Sequence, residues 1–171
     1  MKLRFHEKKI HYWADRYEYP RTETELIRLR KSVLTEKQVT KSQLRLVCRW
    51  KAPRSAGHVE KNDNNFVKEI TGFALSTTNE RARIEVLTVL DGVLWPTASV
   101  ILHLFHSDRY PILDFRALWS VTVAIPVKYT FEFWWPYVEF CRGLARRNNV
   151  DMRTLDRALW QFSKENQPAR R

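Results

Sequence analysis

The stretch Leu90-Asp91-Gly92-Val93-Leu94-Trp95-Pro96-Thr97-Ala98 decides how the rest of the chain is read. Before it, Ile84, Leu87 and Val89-Leu90 form an apolar face at helical spacing; after it, Ala98, Ile101, Leu102 and Phe105 form another. Gly92 lets the backbone adopt φ > 0 between them. Pro96 suits the first turn of the second helix, where a missing N–H costs nothing. The pattern predicts two helices joined by a short turn, a hairpin over about residues 84–105.

The same periodicity runs outward in both directions. Phe5, Ile10, Trp13 and Tyr17 predict a helix over 5–17, ended by Pro20. Leu26, Ile27, Leu29, Val33 and Leu34 predict a second, with Thr22 and Glu25 as its capping box. Thr40 and Gln43 have the same form and open a third, with Leu44, Val47 and Cys48 on one face. Pro53 stops that helix, and residues 55–63 read as a polar loop. Phe66, Val67, Ile70, Phe73 and Ala74 carry a fourth, and Thr77 with Glu80 caps the fifth. A seventh begins at Asp114, an eighth spans about 133–147, and a ninth about 152–164 with Asp151 as N-cap. Only Val121–Ile125 reads as extended, or equally as a helix tail and buried linker. The expectation is an all-α, compact multi-helix single domain over residues 1–171.

Thirty Lys and Arg against nineteen Asp and Glu give a net charge of +11. Such a field attracts polyanions and speeds their encounter, so nucleic acid is the expected partner. Arg142, Arg146 and Arg147 make one basic edge, and Ala169-Arg170-Arg171 another. Cys48 and Cys141 are too few and too far apart for a zinc site or an iron–sulfur cluster. His103 and His106 lie three apart without a third ligand, so no metal and no cofactor are expected. Two reduced core cysteines suit a reducing compartment. The start, Met1 to Glu7, lacks the apolar core of a signal peptide, and no apolar stretch approaches a membrane span. These features point to a monomeric cytoplasmic protein with access to the nucleoid and no membrane partner.

Pro111-Ile112-Leu113-Asp114 follows the turn, with Asp114 eighteen positions after Pro96. The hairpin and an acid at this distance resemble the helix-hairpin-helix DNA glycosylase superfamily, over roughly residues 84 to 121. Gly92 matches the first hairpin glycine of that family, Leu90 and Val93 its apolar locks, and Thr97-Ala98 its small pair. Leu94 stands where the family has a second glycine. The resemblance implies that Gly92, Leu94, Pro96 and Thr97 meet the DNA backbone, and that Asp114 is the catalytic acid at the start of its helix. The family's enzymes that also cut the strand carry lysine at the position of Pro96. Proline cannot form a Schiff base, so the resemblance implies a monofunctional glycosylase of the cluster-free branch, leaving an abasic site uncut.

The chemistry accounts for the acid. Breaking a base–sugar bond builds positive charge on the deoxyribose, which a carboxylate stabilises while it orients the attacking water. The plain alternative is that Asp114 only caps a helix. A flipped base also needs a wedge and stacking partners. Trp50 at a helix exit, Lys51 beside it, and Trp95 in the turn itself are the candidates, with Arg49, Arg54 and Arg116 as basic contacts to DNA. The density of aromatics at Trp134, Trp135 and Tyr137 is that of a core, and Trp119 and Trp160 fit structural apolar faces. The expected partner is duplex rather than single-stranded DNA. A non-catalytic helix-hairpin-helix protein that binds nucleic acid is the alternative.

Overall fold

Caps and prolines set most helix boundaries in this chain. In the computed structural model, which describes residues 1–168, nine α-helices follow one another among the described residues. They are α1 (Ile10–Asp15), α2 (Arg21–Glu36), α3 (Lys41–Lys51), α4 (Asn64–Ser76), α5 (Glu80–Leu87), α6 (Trp95–Phe105), α7 (Phe115–Ser120), α8 (Phe131–Arg147) and α9 (Met152–Asn166). Two 3-10 helices, Glu7–Lys9 and Pro53–Lys61, lie before α1 and after α3. No strand occurs among the described residues, and the fold is all-α. The basic edge at Ala169-Arg170-Arg171 lies outside the described residues.

The capping box at α3 forms in full: Gln43 N–H donates to Thr40 Oγ1 at 3.3 Å, and Thr40 N–H donates to Gln43 Oε1 at 2.8 Å. Asp151 caps α9 by accepting from Thr154 N–H at 2.7 Å. Four local expectations are corrected. Thr22 and Glu25 do not cap α2, because Pro20, with φ −64° and ψ 148°, is the N-cap and turns the chain into the helix two residues earlier. Thr77 instead ends α4, and Asn79 caps α5 by accepting from Ala82 N–H at 2.9 Å. The polar loop expected over 55–63 is the 3-10 helix Pro53–Lys61, anchored by buried Ala56 and Val59. Of the two readings of Val121–Ile125 the strand does not form and the linker is not buried: Val121 is the buried C-cap of α7, Thr122 turns the chain with φ +59°, and Ala124 and Ile125 are exposed. The first helix is also shorter than its apolar pattern.

The domain is built as two compact units, the middle unit Tyr19–Asp108 and a terminal unit of Met1–Glu18 with the chain from Arg109 onward. In the middle unit α3 packs on the 3-10 helix Pro53–Lys61, α2 and α6, while α5 packs on α4 and α6. Buried Leu26, Leu44, Val47, Ile84, Leu87, Ile101 and Leu102 form its core. Almost every residue of α6 is buried, as expected for a central helix apolar all round. Buried Arg83 donates to the carbonyls of Ala74 and Thr77 at the end of α4, and to His106 Nε2 at 2.6 Å after α6. It thereby satisfies carbonyls that a helix C-terminus leaves without intrahelical donors.

In the terminal unit α9 packs on α1, α7 and α8. Leu118, Trp134, Tyr137, Val138, Leu144, Leu155 and Leu159 are fully buried there. Tyr110 stacks on Trp134 at 5.8 Å with nearly parallel rings, and Arg142 lies over Tyr110 at 4.6 Å. No helix among the described residues is long and apolar enough to cross a membrane.

Candidate functional site

The turn between α5 and α6 belongs to the middle unit. Val93 N–H closes it on the Leu90 carbonyl at 3.0 Å, and Gly92 adopts φ +88°. A Cβ on Gly92 would stand 2.9 Å from the Ser55 carbonyl oxygen and 3.1 Å from Val59 Cγ2. The glycine is therefore required twice over, by its dihedral and by the approach of the chain's own 3-10 helix. The side of the turn toward which a side chain would point is occupied by the protein itself, so a phosphate cannot approach Gly92 from that direction.

Asn62 fixes the turn from below. Its Nδ2 donates to the Asp91 carbonyl at 2.9 Å, and its Oδ1 accepts from Asp91 N–H at 2.9 Å. The Cys48 thiol donates to the Gly92 carbonyl at 3.6 Å. Burial pushes that thiol up to about 11, so it keeps its proton at neutral pH.

Past the turn, Leu94 caps α6 with its backbone alone and is 68% exposed. Trp95 and Pro96 are half-buried. Thr97 is buried along its whole length, main chain included, which leaves it no surface to offer an anion. Arg49 is exposed near the end of α3, Trp50 and Lys51 are half-buried at that end, and Arg54 is exposed on the 3-10 helix. The sequence grouped these four around a helix exit, and the structure keeps them there, all within the middle unit.

Asp114 belongs to the terminal unit. It is the N-cap of α7, its Oδ1 accepting from Arg116 N–H at 2.9 Å. The residue is half-buried, in contrast to Leu113 before it, which is sealed in the core. Two residues upstream the backbone is pinned on both sides of Ile112. Ile112 N–H donates to Asp156 Oδ1 at 3.3 Å, and the Tyr137 hydroxyl donates to the Ile112 carbonyl at 3.0 Å. Burial, then the nearby Cys141 and the carboxylates of Asp156 and Asp114, push the Tyr137 hydroxyl well above its ordinary value. It therefore stays protonated and keeps donating. Asp156 is itself held by Arg153 at 2.6 Å. The Arg116 guanidinium lies over the rings of Phe115 at 5.1 Å and Trp160 at 5.4 Å, which fixes a cation two residues past the acid.

Sequence reasoning missed Asn62, Tyr137 and Asp156. Each lies in a stretch that reads as loop or apolar helix, and only the tertiary contacts give them partners. Among the described residues no group of three or more His, Cys, Asp or Glu is disposed to hold a metal ion. No family model, no curated protein and no solved structure matches the chain.

Proposed function

We propose that the protein is a monofunctional DNA glycosylase that hydrolyses the N-glycosidic bond of a damaged or modified base. The observation that carries this is Asp114: a half-exposed carboxylate at a helix start, on a backbone pinned by two buried side chains, eighteen positions along the chain from Pro96. A carboxylate so placed can stabilise positive charge on the deoxyribose and take a proton from water. The water oxygen bonds to the anomeric carbon as the carbon–nitrogen bond breaks and its electron pair leaves with the base; the proton that water gives Asp114 passes through solvent to the departing base nitrogen, which restores the carboxylate. The abasic strand stays intact, because Pro96 supplies no amine for a Schiff base. The net charge of +11 supports DNA as the partner. A cytoplasmic, nucleoid-associated location belongs to the same proposal.

A second reading is a binding protein without chemistry. Two observations favour it: Leu94 projects into solvent where the resembling family has glycine, and the side of Gly92 toward which a side chain would point is filled by Ser55 and Val59. One experiment separates the two. Wild type and Asp114→Asn are incubated with oligonucleotides carrying alkylated, oxidised or deaminated bases, and freed base is measured by mass spectrometry. The enzyme reading expects release by wild type, no strand scission, and a loss of about hundredfold or more in the variant with DNA binding kept. Binding without release by the wild type supports the second reading. Equal release by both proteins removes Asp114 from the chemistry.

A further inference from the structure

Lys41, Arg45 and Arg49 stand at i, i+4 and i+8 on α3, so they share one face of that helix. With a rise of ~1.5 Å per residue, successive cations are roughly 6 Å apart along the axis, a repeat close to that of adjacent phosphates on one strand. Together with Ser42, Leu46, Glu60 and Asn64 they line an open groove of about 540 Å³ in the middle unit. Among the described residues that line it, Glu60 is the one carboxylate. It pairs with Lys41 at 3.4 Å and Arg45 at 3.0 Å, while its carbonyl accepts from Lys41 Nζ at 2.7 Å. Three cations against one acid leave the groove net positive. Asn64 Oδ1 accepts from Lys41 N–H at 3.0 Å and fixes the start of the row.

The groove is tied to the hairpin through one short element. Glu60 and Val59 belong to the 3-10 helix Pro53–Lys61, and Val59 packs against Gly92 of the turn. Asn62, the next residue but one after Glu60, holds Asp91. The cation row and the turn are thus fixed to the same piece of backbone.

We infer that this groove takes the phosphodiester backbone of DNA, with Lys41, Arg45 and Arg49 each facing a phosphate and Glu60 as the internal anion that the strand displaces. The inference rests on the DNA-binding part of the proposed function and not on its hydrolytic step. Glu60 holds two of the cations in register in the free protein. When a strand enters, phosphates replace its carboxylate, and Glu60 then opposes binding by like-charge repulsion.

The test is fluorescence anisotropy of end-labelled single-stranded and duplex oligonucleotides across a salt series, with wild type, Arg45→Ala/Arg49→Ala and Glu60→Gln. Thermal melts confirm that each variant is folded. Loss of two phosphate contacts should reduce the slope of log affinity against log salt by about 1.8 on duplex or about 1.4 on single strand. Affinity at low salt should fall on the order of tenfold or more. Glu60→Gln should bind more tightly than wild type and be the informative variant if the double substitution unfolds. An unchanged slope in the double variant, or weaker binding by Glu60→Gln, overturns the assignment. Equal binding of poly-glutamate by wild type, with the same loss in the double variant, also overturns it and makes the groove an acidic-peptide site. If DNA binds as expected but no base is released, only the hydrolytic proposal fails. If wild type binds no DNA, both fail.

Discussion

Asn62 holds Asp91 by both sides of its backbone, donating to the carbonyl and accepting from the N–H, each at 2.9 Å. One side chain, itself buried, thus satisfies two main-chain groups of a turn that lies outside the helices it joins. The hairpin owes its shape to this contact as much as to its glycine.

Asn62→Ala should therefore leave both Asp91 groups without their partner and cost about 1–3 kcal/mol. Gly92→Ala should cost a comparable amount or more, because its Cβ meets a carbonyl oxygen at 2.9 Å in a φ that L residues rarely adopt. Urea unfolding of both variants measures the loss. A Gly92→Ala protein as stable as wild type would show that the close approach of Ser55 does not exist in solution.

Tyr137→Phe removes only the hydroxyl that donates to Ile112. The ring stays packed, so the loss of stability should be about 1 kcal/mol. The orientation of the chain leading to Asp114 should suffer more. Under single-turnover conditions, base release should slow by roughly tenfold while DNA affinity holds, since mispositioning acts on rate. Asp156→Asn, which keeps an acceptor for Ile112 N–H, should retain more of the rate than Asp156→Ala. Equal rates in wild type and Tyr137→Phe would reduce the hydroxyl to a packing role.

Both cysteines are free and buried. Burial raises Cys48 to about 11 and Cys141 further still, so neither forms thiolate near neutral pH. Native protein should react with a thiol reagent negligibly over minutes, and denatured protein should release two equivalents. Fast labelling of the native form would contradict the buried contact between Cys48 and Gly92.

Acid should loosen the terminal unit in a definite window. Hydrogen bonds from Asn148 and Arg147 hold Glu7 below its ordinary value of 4.5, and those from Arg16 and Gln161 do the same for Glu165. A depressed carboxylate stabilises the fold when ionised. Its contribution is full above the ordinary value and disappears as pH falls through the lower, folded-state value. Both side chains are partly open to solvent, 38% for Glu7 and 28% for Glu165, so the effect is modest and screened by salt. The melting temperature should be flat from pH 7 to about 5 and decline below about 4.5. Glu7→Gln should flatten part of that decline. A melting temperature that rises on acidification over that range would contradict the assignment.

Much of the fold was legible in the residues. The i, i+3, i+4 repeat of apolar side chains marks a helix wherever one face must be buried, and it located the cores of α3, α4, α6, α8 and α9. Thr40 with Gln43, and Asp151, cap their helices as read, because a cap needs only neighbours in sequence. Asp114 as the residue that opens α7 was read the same way. Where two polar residues competed for the role, as Thr77 and Asn79 do before α5, the geometry of the preceding helix decided. Residues 53–61 contain Pro53 and Gly57 and bury only Ala56 and Val59, a composition that reads as a loop, and they form a 3-10 helix packed on α3.

What the sequence alone determined is the all-helical class, the positive field, and the order of turn and acid along the chain. These follow from local periodicity, from composition and from spacing, none of which requires a distant contact. Tertiary structure alone decided that Gly92 faces Ser55, that Asn62 grips Asp91, and that Asp156 and Tyr137 secure the approach to Asp114. A buried polar group must find its partner wherever the packed chain brings one. That partner lies 25 residues from Ile112 in one direction of bonding and 44 in the other, beyond the reach of any local pattern.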